Sequence, residues 1–111
     1  MNPEIKQKWL EALRSGKYKQ GRGLLRDSKN QFCCLGVLCD IIKPNGWRLS
    51  PHTIPIPTYS FLYGDGAAEF VLRNNVLKYV GMTDVQHDAL VNLNDNGKTF
   101  DEIADYIEAN L

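Results

Sequence analysis

The chain has 111 residues, 43% of them apolar, with 13 basic and 13 acidic side chains and a formal net charge of zero. That suffices for a single domain with one modest core, and the balanced charge argues against a general nucleic-acid coat. No apolar run approaches the ~18 residues of a spanning helix, and Met1-Asn2-Pro3-Glu4 does not open a secretory signal, so the expected setting is the cytoplasm, away from membranes.

Asn2 and Pro3 form a helix start, with Asn as N-cap and Pro at the first helical position. Ile5, Trp9, Leu10 and Leu13 recur at helical spacing, and Gly16 supplies the stop. The first helix is therefore expected over Pro3 to Ser15. Lys17 to Gly23 reads as a loop by its glycines. Leu24 to Arg26 and Gln31 to Cys33 flank the turn residues Asp27 to Asn30, which predicts a short hairpin. A compact apolar helix follows from Cys34 to Ile42, ended by Pro44-Asn45-Gly46.

Trp47 to Thr58 reads as irregular, because Pro51, Pro55 and Pro57 deny a central strand. His52, in that stretch, is expected to be exposed. Tyr59 to Tyr63 and Ala68 to Leu72 alternate around Gly64-Asp65-Gly66, which predicts a second hairpin. Asn75 to Val80 makes one or two helical turns, closed by Gly81. Thr83 with Gln86, and Thr99 with Glu102, fit capping boxes. The first opens a helix to about Asn94 with Val85, Ala89, Leu90 and Leu93 on its apolar face. The second opens a helix that turns Phe100, Ile103, Ala104 and Ile107 inward and Asp101, Asp105 and Glu108 outward. The fold class is thus α+β, one small domain spanning 1–111: an N-terminal helix, two short hairpins, a short central helix and a C-terminal helical hairpin. A stability of about 5 kcal/mol is ordinary for this size, so self-association into a homo-oligomer is a further expectation.

Three strings resemble a family of small proteins encoded by tailed phages and prophages: Trp9 to Gly23, Phe32-Cys-Cys-Leu-Gly-Val-Leu-Cys-Asp40, and Leu93 to Asp105. Residues 43–70 match poorly. The family brings no established activity and no functional residue. The resemblance implies an accessory phage gene expressed in the bacterial cytoplasm, a setting in which small proteins antagonise host defence by binding a protein or sequestering a nucleotide signal.

The three cysteines, Cys33, Cys34 and Cys39, lie within seven residues. A disulfide framework would space them along the chain, so they read as thiols. On a helix Cys34 and Cys39 point about 140° apart, so they do not converge on a metal, and no metal or other cofactor is expected. A Cys34–His87 nucleophile pair has no local signature. Small apolar filling is the plainer reading, and no catalytic residue is assigned.

Charge is unevenly spread. Arg14 to Lys29 holds six basic residues against Asp27, and the stretch from Asp84 onward holds seven acidic residues against Lys98. The two regions can attract each other, within one chain or between copies. The glycine-rich basic segment is the candidate ligand site. Gly21 and Gly23 let backbone N–H groups approach an anion, and Arg22 and Arg26 can pair with it. Tyr18 can stack on a base and Gln20 can read its edge. Asn94 and Asp95 can reach a ligand or this loop, although a helix end and turn would also call for them. Neither the P-loop nor the dinucleotide fingerprint is present.

The string Leu93-x3-Gly97-x-Thr99-Phe100-x-Glu102-Ile103-Ala104 is similar to the entry to a helix-turn-helix. No recognition helix follows it and its outer face is acidic, so sequence-specific DNA binding is not expected. The acidic residues of that helix read as a solvated face. Trp47, Tyr59, Phe61 and Tyr63 are expected to pack rather than to line a pocket. The functional expectation is a non-enzymatic binder of a phosphorylated small molecule. The alternative is an inhibitor that binds a host protein through its acidic last helix or aromatic middle, and the third reading is a small Cys-dependent hydrolase.

Overall fold

The computed structural model describes residues 1–50 and 58–111. His52 and the three prolines of the 51–57 stretch lie outside the described residues. Among the described residues the chain forms five helices, a two-stranded parallel pair and a three-stranded antiparallel sheet.

Helix α1, Pro3–Arg14, starts as its sequence requires: the Asn2 side chain accepts from the Ile5 N–H at 3.0 Å, and Pro3 occupies the first turn. Its buried face is Trp9, Leu10 and Leu13. The Trp9 indole N–H, which would be costly to bury unpaired, donates to the Cys34 carbonyl at 2.9 Å.

The segment read as a loop carries a strand. Strand β1, Lys19–Gln20, pairs in parallel with β2, Gln31–Phe32. The first expected hairpin is correspondingly reduced. Its turn is present, with the Asp27 N–H on the Gln31 carbonyl and the Asp27 carboxylate accepting from Lys29 and Gln31 N–H. Its arms, however, make only the single bridge Arg26 to Phe32. The arm is shared: Asp27 also bridges Thr58, and the Arg26 carbonyl accepts from Tyr59 N–H.

Helix α2, Cys34–Ile42, is the buried centre, with every residue from Cys34 to Cys39 enclosed. Gly36 explains how it fits. A Cβ at that position would stand 1.7 Å from the Leu25 carbonyl oxygen, so the helix lies against bare backbone.

Strand β3, Trp47–Ser50, pairs antiparallel with β4, Thr58–Tyr63, and β4 pairs with β5, Gly66–Ala68. The second hairpin is present, but two expectations change. Residues 47–50, read as irregular, form a strand, because the prolines that argued against one begin only at Pro51. The return strand, expected to reach Leu72, stops at Ala68. The rings of the sheet pack on one another as expected: Trp47 lies 5.1 Å from Phe61 and 6.4 Å from Tyr59 between centroids.

Helix α3, Asn74–Val80, closes on Gly81 in the left-handed region. Helices α4, Asp84–Asp95, and α5, Phe100–Asn110, each begin with a capping box in which both halves are made. The inward and outward faces of α5 are as its spacing predicts. On α4 the apolar face differs. Val85 is 80% exposed, while His87 and Asn94 are buried beside Leu90. Five residues turn a helix by about 500°, which sets Val85 some 140° away from Leu90. Where α1 packs on α5, Arg14 reaches Asp105 at 2.9 Å and Glu108 at 3.3 Å, an attraction between the basic and acidic parts of the chain. These pairs are exposed and contribute little to stability.

Candidate functional site

The glycine-rich basic segment and the end of α4 meet, so the residues singled out from sequence share one neighbourhood. Their polar atoms are turned on each other. The Gln20 amide donates to the Asn94 side chain at 3.1 Å and to the Lys98 carbonyl at 2.7 Å, and its oxygen accepts from Phe100 N–H at 3.2 Å. Asn94, 1% exposed, donates to the Gly21 carbonyl at 2.8 Å and accepts from the Cys34 N–H at 3.1 Å. It lies in the last turn of α4 and acts as a cross-brace rather than a cap, since the helix ends on Asn96.

The two backbone N–H groups offered to an anion are engaged as well. Gly21 N–H donates to the Phe32 carbonyl, and Gly23 N–H to the Asp95 carboxylate at 3.3 Å. Gly21 is needed for closeness, because its Cβ would meet Gln31 at 2.9 Å. Arg26 lies 3.9 Å over the Tyr59 ring, is flanked by Phe32 and Trp47, and donates twice to the Asn30 side chain. The Tyr18 hydroxyl donates to Asp40, which also accepts from the Trp47 indole at 3.0 Å. Burial, and then the Asp40 carboxylate, push the Tyr18 phenol well above its ordinary range. Arg22 differs from these. It is exposed, its guanidinium lies by Gly97, and it makes no hydrogen bond among the described residues.

Beside this corner lies a cavity of about 140 Å³. Cys33, Cys34 and Leu35 at the start of α2 form one wall, and Val91, Asn94 and Asp95 of α4 another. Gly23 and the pair Phe70 and Val71 complete it. Phe70 is 59% exposed and Val71 49%, while the next residue, Leu72, turns inward. The Leu72 N–H donates to Nε2 of His87 at 3.1 Å, and Nδ1 of the same ring meets Asp88 at 3.0 Å. With Nε2 accepting, Nδ1 carries the proton, and the ring acts as a brace that fixes the segment after Phe70 and Val71.

Sequence reasoning missed Phe70, Val71 and Val91. A signal was present: Phe70-Val71-Leu72 breaks the alternation of the expected strand, and three consecutive apolar residues cannot all face one side.

The chemistry open to this cavity is limited. Burial pushes the Cys33 thiol up to about 11 and raises Cys34 and Cys39 well above their ordinary 9.0, so all three stay protonated near neutrality. The Cys34 thiol faces the Leu90 carbonyl at 3.7 Å, and both nitrogens of His87 are occupied elsewhere. Among the described residues no group of three or more His, Cys, Asp or Glu is placed to hold a metal ion. No helix among them is long and apolar enough to cross a membrane.

Fold and cavity together define a small α+β domain with a partly apolar pocket beside a braced polar corner. The chain belongs to the family described as a domain of unknown function (DUF8296), which matches residues 1–111. No curated protein and no solved structure matches it.

Proposed function

We propose that this chain is a non-enzymatic binding protein whose partner is another protein, docked at the cavity beside Phe70 and Val71. The observation that carries the reading is the pair itself: two large apolar side chains, 59% and 49% exposed, on the rim of a cavity with an apolar wall. Exposed apolar surface at a concave site is where protein partners bury their anchors. The resemblance to phage-encoded proteins supports a setting, an accessory phage protein that blocks a host protein in the bacterial cytoplasm. The test is a comparison of baits. A protein retained by the native chain and by the control Leu49→Asp, but lost from Phe70→Asp/Val71→Asp, supports the reading. Equal retention by all three baits overturns it.

A second reading is a phosphorylated small molecule, such as a nucleotide signal, held at Arg22. It is favoured by the exposed guanidinium of that residue, which makes no hydrogen bond among the described residues, and disfavoured by the engagement of both glycine N–H groups. A melting screen against mono-, di- and cyclic nucleotides decides it. A ligand at a hundred times its Kd stabilises by about 2.7 kcal/mol. A shift of that size, abolished by Arg22→Ala, would replace the protein-binding reading.

A further inference from the structure

The cavity near 140 Å³ is comparable to the roughly 150 Å³ apolar cavity that accepts a benzene ring. It therefore has room for one bulky apolar side chain. Among the described residues, Asp95 is its one charged lining residue. Helical geometry extends that charge. At 100° per residue, Asp84, Asp88, Val91 and Asp95 fall within about 60° of one another on α4, and Val91 and Asp95 line the cavity. The three aspartates are exposed: the Asp88 side chain is 75% open even though it meets His87, and Asp95 accepts from Gly23 N–H through one of its two oxygens. Among the described cations nearby, Arg22 lies by Gly97, Arg73 packs on Gly66 and donates to the Ala67 carbonyl at 3.3 Å, and Lys78 shares a surface hollow with Asp84. The cavity thus sits beside an acidic track about as long as α4.

We propose that the docked partner is a basic amphipathic segment of another protein. It sets one bulky apolar side chain between Phe70 and Val91 and lays lysines or arginines along Asp84, Asp88 and Asp95. This rests on the protein-binding reading above and names its chemistry. A helix in a groove matches an apolar anchor with a charged flank, and complementary charge sets its orientation.

The probe is a 15-residue (about four turns) Leu/Lys amphipathic peptide with a central Phe, paired with a twin in which every Lys is Glu. Both are titrated into the full chain while amide shifts are followed. The Lys peptide should move the amides of Cys34, Val71 and Val91, and the Glu twin should not. Asp84→Asn/Asp88→Asn/Asp95→Asn keeps shape and hydrogen bonding and should weaken the Lys peptide about tenfold, with the difference shrinking at high salt. The control Asp101→Asn/Glu108→Asn on α5 should bind normally. Equal affinity in the triple variant, equal binding of the Glu twin, or shifts confined to α5 each overturn the proposal. So does sedimentation showing that a second copy of the chain occupies this face. If either peptide perturbs the cavity amides regardless of charge, the docking reading survives without its basic partner. If neither does, and Phe70→Asp/Val71→Asp retains everything the native chain retains, both fall.

Discussion

The braced corner and the cavity share Gly23, Asn94 and Asp95, yet they are built in opposite ways. In the corner, polar atoms from β1, α2, α4 and α5 are used up on one another: Gln20 and Asn94 alone join Gly21, Cys34, Lys98 and Phe100. At the adjoining cavity, Phe70 and Val71 are 59% and 49% exposed. Polarity and glycine, which look like a binding loop in the sequence, serve here to hold the fold. The apolar residues, which look like core, are the part left open. A group is available to a partner when its own chain has not already satisfied it, whatever its chemical type.

The sharpest way to break this contrast is Asn94→Ala. It strands the buried Gly21 carbonyl and Cys34 N–H, and unpaired buried groups cost about 1–3 kcal/mol each. Denaturant unfolding should show a loss of roughly 3 kcal/mol or more; a loss below 1 would mean the corner is not a brace. Gln20→Ala should come next at about 2 kcal/mol, since Phe100 N–H and the Lys98 carbonyl lie nearer to solvent. A double-mutant cycle between the two should be clearly non-additive, because they share a bond.

The buried thiols give a pH test. The thiols of Cys33, Cys34 and Cys39 have folded pKa values raised above the ordinary 9.0. Below pH 9 both states keep the proton and nothing is lost. As pH rises past 9 the unfolded thiol ionises while the folded one does not, so stability falls by about 1.4 kcal/mol per pH unit per thiol. In Cys34→Ala that alkaline slope should be shallower by this amount, and an unchanged slope would place the thiol in contact with water. The smallest effect is expected at the rim. Phe70→Ser with Val71→Ser should change stability by no more than about 0.5 kcal/mol. A loss above 2 would make the pair core after all, and remove the opening on which docking depends.

Much of the fold was legible where the signals are local. Asn2-Pro3, Thr83 with Gln86, and Thr99 with Glu102 each start a helix by satisfying N–H groups within four residues, and the structure has those starts. What escaped depends on distant partners. Lys19–Gln20 becomes a strand only because Gln31–Phe32 runs beside it in parallel. Trp47–Ser50 is a strand through Thr58–Tyr63, and the prolines nearby hid that pairing. For the candidate site, the meeting of the glycine-rich segment with Asn94 and Asp95 was readable, but the direction of their hydrogen bonds was not. Sequence shows that a polar atom is present, and only the fold shows whether it is already bonded. Val85 stands off the apolar face of α4, since its spacing from Leu90 does not fit one helical stripe.

The cross-brace also bears on how the protein is made. Gln20 finds its partners at Lys98 and Phe100, 78 and 80 residues further along, and Asn94 joins Gly21 across 73. A ribosome delivering this chain has synthesised the whole aromatic sheet and α2 before it supplies the groups that fasten them. Until then the apolar faces of Trp9, Leu10 and Leu13 wait without α5. The brace can therefore close only after the start of α5 has been made, and contacts of such high sequence separation are the slow ones to form.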